Sequence, residues 1–116
     1  MAITQAYELD GVTVGTAPIS VVSGTTTVTD TVETGVFQLW VDGGAMLKGD
    51  EFKIKISEKV EATGGTRKNV FVATLSDVQS EIFVTPQLIL MFGWNATIEK
   101  VAGTDRAFDA SLRKVA

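Results

Sequence analysis

The chain has 116 residues, 45% apolar and 21% charged, with a net charge of −4, two prolines, and neither cysteine nor histidine. A chain of that length buries about two thirds of the surface it exposes when unfolded, so a single domain over residues 1–116 needs no disulfide or metal support. The missing histidine and cysteine exclude the common acid-base triads, thiol nucleophiles and structural zinc sites.

Read along the chain, the dominant signal is a β-type period of two, broken by glycine-rich turns. The opening residues lack the basic and apolar regions of a leader peptide, which predicts a soluble, unprocessed start. Residues 2–9 alternate loosely, and residues 17–23 make a short strand. Residues 24–34 are rich in threonine and fit either a disordered loop or an exposed edge segment. From Gly35 to Asp42, Phe37, Leu39 and Val41 alternate with Val36, Gln38 and Trp40, and the run stops at Gly43 and Gly44. Trp40 is expected to cap one end of the fold. Residues 45–48 allow one helical turn at most, and Lys48, Gly49 and Asp50 read as a turn into the next strand.

Residues 51–60 carry the clearest alternation, with Phe52, Ile54 and Ile56 on one face and Lys53, Lys55 and Ser57 on the other. Gly64 and Gly65 then supply positive φ for a hairpin into residues 69–75. Residues 81–92 form a long apolar stretch split by Pro86, which cannot donate to a ladder, so a bulge or a change of sheet is expected there. Both faces beyond Pro86 are expected to be buried. Gly93 turns the chain into residues 94–101, and a turn over residues 103–106 predicts a second hairpin with residues 107–115. About eight strands without helices predict an all-β, antiparallel two-sheet sandwich or jelly roll, with a closed barrel as the alternative.

Candidate chemistry is thin. Asp42, Asp50, Asp77, Asp105 and Asp109 could supply a carboxylate pair, and calcium could sit between Asp42 and Asp50, but four of the five lie in or next to turns, where Asp bonds its own backbone. The glycine pairs lie in turns and match no phosphate-binding fingerprint, and Asn95, Ala96 and Thr97 fit a glycosylation sequon inside a predicted strand. Trp40, Trp94 and Tyr7 are read as core or end-of-sheet residues, with a carbohydrate-stacking platform as the alternative. No catalytic residue, metal ligand or cofactor is assigned.

Charge is unevenly spread. Residues 1–50 hold six acids and one base, and residues 51–116 hold eight acids and nine bases. Lys53, Lys55, Lys59, Arg67 and Lys68 are interleaved with Glu51, Glu58 and Glu61, which disfavours a nucleic-acid face. The asymmetry suits either a solvated surface of mixed sign or the meeting of acidic and basic edges of neighbouring copies. No apolar run approaches the ~20 residues needed to cross a bilayer.

The stretches Glu81-Ile82-Phe83-Val84-Thr85-Pro86, Met91-Phe92-Gly93-Trp94-Asn95-Ala96-Thr97, Ala102-Gly103-Thr104-Asp105-Arg106 and Ser111-Leu112-Arg113-Lys114-Val115 resemble the small β-rich virion proteins of tailed bacteriophages. Within that group the resemblance is to the capsid decoration or cement type, over residues 36–115. It implies a non-enzymatic protein made in the host cytoplasm and placed on the capsid surface, where a homo-oligomer, dimer or trimer, bridges subunits of the major capsid protein or other virion proteins. It implies no nucleic acid, membrane or cofactor. A tail or connector protein is the first alternative and a carbohydrate-binding module the second. The candidate partner contacts are Ala2, Ile3, Thr4 and Tyr7, with Thr25, Thr26, Thr27 and Thr29 from the threonine-rich segment.

Overall fold

A computed structural model describes residues 2–116 as nine strands in two antiparallel sheets, with no helix among them. The strands are β1 (Thr4–Val14), β2 (Ile19–Ser20), β3 (Gly35–Asp42), β4 (Glu51–Glu58), β5 (Lys68–Ser76), β6 (Phe83–Val84), β7 (Leu88–Leu90), β8 (Asn95–Ala102) and β9 (Arg106–Lys114). One sheet runs β1-β9-β3-β6, with β7 also on β3, and the other runs β2-β8-β4-β5.

Because β6 and β7 both lie on β3, they act as one strand interrupted at Thr85, Pro86 and Gln87. Counted that way the fold has eight strands, and they pair first with eighth, second with seventh, third with sixth and fourth with fifth. This is one long hairpin wound round itself into two sheets, the jelly roll. Its tip is the β4–β5 hairpin, which forms where the alternation and the glycine pair predict it.

Alternation fills the space between the sheets. Phe37, Leu39 and Val41 of β3 and Phe108 and Leu112 of β9 face Phe52, Ile54 and Ile56 of β4 and Ile98 of β8, all buried. Phe52 and Phe108 join the two sheets edge to face, with ring centroids 4.7 Å apart. Met46, in the turn before β4, fills the end of this core and is also fully buried. No helical turn forms at residues 45–48; the Met46 amide bonds the Gly43 carbonyl, and the Asp50 amide bonds that of Leu47.

Two expectations are corrected. The second hairpin does not form, because β8 pairs with β2 and β4 in one sheet while β9 pairs with β1 and β3 in the other. The turn at residues 103–105 carries the chain across the sandwich, so each strand gains neighbours on both sides. Nor are both faces buried beyond Pro86: β7 lies at the rim, with Ile89 75% exposed and Leu90 buried. The chain keeps to one sheet at Pro86. Thr85 bridges the interruption, accepting the Leu39 amide on its hydroxyl at 3.0 Å and donating its own amide to the Leu39 carbonyl.

Candidate functional site

The two ends of the sandwich are built differently, and the candidate contacts gather at one of them. Gly93, at φ +57, turns the chain so that Trp94 enters the core, where it packs on Phe37 at 4.8 Å and on Tyr7 at 6.3 Å. The threonine-rich segment crosses this end as an ordered strap. Thr31 and Trp94 exchange both backbone hydrogen bonds, the Trp94 indole donates to the Glu33 carbonyl at 2.7 Å, and the Asn95 amide group donates to the Thr29 carbonyl at 2.7 Å.

Ion pairs hold the strap along its length. The Asp30 carboxylate takes Lys59 at 2.6 Å and Arg67 at 3.1 Å, both from the β4–β5 hairpin. The hydrogen bond from Lys59 holds the Asp30 carboxyl below its ordinary range. Glu33 accepts from the Tyr7 hydroxyl at 3.0 Å and pairs with Lys114 at 3.2 Å. Partial burial, followed by the Glu33 bond, raises the Tyr7 phenol.

The opposite end is closed by Asp50, which is 3% exposed. Its carboxylate accepts the amides of Leu47 at 2.8 Å and Thr104 at 3.0 Å and pairs with the Arg106 guanidinium at 2.7 Å. These donors, the two backbone amides ahead of Arg106, lower the Asp50 pKa to about 2. Gly103 at φ +91 makes room for the knot; a Cβ there would lie 2.7 Å from the Asp50 α-carbon.

Of the remaining aspartates only Asp42 bonds its own turn, while Asp77 and Asp109 accept amides from distant segments. Asp42 accepts the Gly44 amide, Asp77 the Gly49 amide and Asp109 the Gly11 amide, while Asp105 pairs with Lys100. No group of three or more acidic side chains placed to hold a metal occurs among the described residues. Nor do the three aromatics form a platform. Tyr7 and Trp94 pack against each other inside, whereas Trp40 lies on the outer face of β3 instead of capping an end. There the Arg113 guanidinium covers the Trp40 ring at 4.0 Å. A shallow depression of about 300 Å³ surrounds this pair, walled by Glu8, Asp42 and Asp109.

No protein-family model, curated protein or solved structure matches this chain. The site is therefore built from its own residues. Ala2, Ile3 and Thr4 are exposed at the start of β1, and Thr25, Thr26, Thr27 and Thr29 are exposed on the strap. Tyr7 is half-buried and ties the two groups together through Glu33. The Ser23 hydroxyl shapes the strap's first turn, bonding the carbonyls of Thr25 and Thr27. Sequence reasoning missed Asp30 and Glu33, the two acids that anchor the strap. Their spacing from Lys59, Arg67 and Lys114 carries no local signal.

Proposed function

We propose that the chain is a non-enzymatic virion structural protein of the capsid decoration or cement type, bridging coat subunits on a bacteriophage head as a small homo-oligomer. The observation that carries this reading is the division of labour among polar groups. The strongest candidates for chemistry, Asp30, Asp50, Asp42, Asp109 and their cationic neighbours, are occupied by backbone amides and ion pairs. What remains exposed at the strap end is a set of threonines beside the start of β1, with the Thr25 hydroxyl bonded within the strap to the Thr27 amide. Such groups suit adhesion to another protein surface.

The resemblance over residues 36–115 points the same way, and the jelly roll is an architecture that viral capsid domains use, an analogy of fold alone. In this reading Ala2, Ile3, Thr4, Thr25, Thr26 and Thr27 face the shell, with no nucleic acid, membrane or cofactor involved.

The test is co-sedimentation of the purified protein with head shells that lack it. Saturable binding at a fixed ratio to coat subunits is expected, weakened at least tenfold by Thr25→Asp with Thr27→Asp. Absence of binding by the folded protein refutes the decoration role. Rings or tubes formed without shells, seen by electron microscopy, would move the reading to a tail or connector component.

A further inference from the structure

We infer that β5 is a self-association edge, on which the β5 strand of a second copy pairs antiparallel about a two-fold axis at Val72. The inference stands apart from the virion reading and holds for any role of the chain.

The sandwich has two long unpaired edges, β1 with eleven residues and β5 with nine. They are defended unequally. β1 carries Glu8 and Asp10 and is broken by two register shifts, the usual devices that keep a neighbour from adding to a sheet. β5 has one shift, at Val70, and no charged residue between Asn69 and Ser76. A bare edge of that length leaves a row of backbone donors and acceptors ready for a partner.

Exposed apolar side chains adjoin this edge. Of the twelve large apolar side chains exposed among the described residues, Val70 and Val72 lie on β5 itself. Val60, Val70, Ile89 and Met91 line a groove of about 290 Å³ beside the first half of β5, and Val60 is 92% exposed. Clustering of this kind marks a contact surface, whereas isolated exposed apolar residues need no explanation.

The charges name the occupant. β5 is positive where it begins, at Lys68, next to Arg67, whose guanidinium Asp30 already holds, negative just past its end, at Asp77, and neutral between. Antiparallel self-pairing about Val72 sets the Lys68 end of each copy against the Asp77 end of the other, so both unlike pairs form at once. A parallel arrangement sets like ends together, and the acidic β1 edge could satisfy only one end. The self-complementary strand therefore selects a second copy and a closed, two-fold contact.

Because the chain has no cysteine, Val72→Cys introduces a single thiol at the axis. Residues directly opposite across an antiparallel pair lie about 4.5 to 5.5 Å apart at Cα, within disulfide reach. Under mild oxidation Val72→Cys should give a covalent dimer, and Thr13→Cys on the β1 edge should not. Light scattering of the unmodified protein should report twice the chain mass, and Val72→Lys should halve it. Lys68→Glu and Asp77→Lys should each be monomeric and should recover the doubled mass when mixed, because the mixed pair restores an unlike contact that each variant lacks alone. That recovery also shows that each variant is folded. A single-chain or trimeric mass for the unmodified protein at high concentration, equal cross-linking at both thiols, or a mixture that stays monomeric would overturn the inference.

Discussion

The Arg106 guanidinium meets the buried Asp50 carboxylate at 2.7 Å and so pins the loop that crosses between the sheets to the turn that enters β4. The two residues are 56 positions apart in the chain. The contact holds together the end of the sandwich that carries no candidate partner residues.

Its pH dependence follows from the lowered pKa. The Asp50 carboxyl titrates at about 2 in the folded chain and at about 3.9 when unfolded. The unfolded state therefore takes up its proton first as pH falls, and the stabilisation, complete above about pH 5, fades through pH 4 and is gone below 2. Thermal melts from pH 7 to pH 2 should show a stability decline for the native chain in that window. Asp50→Asn should be less stable at pH 7 and its deficit should shrink toward pH 2; a constant deficit would contradict the assignment.

Gly103 and Gly11 both hold positive φ, yet they should respond differently to alanine. At Gly11 a Cβ meets nothing within 4 Å, so only the left-handed backbone is penalised, about 1 to 2 kcal/mol. At Gly103 it also collides with the Asp50 backbone, and overlap of that kind adds about 1 to 3 kcal/mol. Urea denaturation of both variants should place Gly103→Ala below Gly11→Ala.

Trp94 anchors the strap from inside the core. Trp94→Ala removes a fully buried ring, at a cost of about 3 to 5 kcal/mol. Trp94→Phe keeps most of the packing and loses the indole bond to the Glu33 carbonyl, about 1 kcal/mol. Hydrogen exchange of the phenylalanine variant should quicken at residues 29–34 and leave β3 and β9 protected. Uniform acceleration would mean that the strap is not a separable unit.

Thr85 replaces a backbone acceptor with a hydroxyl at the interruption of the sheet. Thr85→Val leaves the buried Leu39 amide without that partner, costing about 1 to 3 kcal/mol, while Thr85→Ser retains the oxygen and should cost less than 1 kcal/mol. Equal losses for the two variants would assign the effect to the methyl group.

How much of this was legible in the sequence depends on distance along the chain. The β4–β5 hairpin was readable because Phe52, Ile54 and Ile56 alternate with lysines and a glycine pair lies between the strands. The same signals around residues 103–106 pointed to a hairpin that does not exist. Alternation states that a strand has one buried face and is silent about which sheet owns it. The apolar residues at 87–92 looked interior for a related reason: Ile89 is as hydrophobic as Leu90, and only the position of β7 at the rim separates them. At the strap end, the exposed threonines were nameable from composition. The acids that fix them were not, since Glu33 finds Lys114 across 81 residues.

The winding of the hairpin also sets when the protein can fold. β9 follows the other eight described strands along the chain, yet it lies inside its sheet between β1 and β3. On the ribosome, β1 therefore waits unpaired until Lys114 has emerged, and only β4 with β5 can form early from near neighbours in sequence. That sheet closes only once all nine strands have emerged. Until then the bare β5 edge is the exposed surface on which nascent copies can meet too soon.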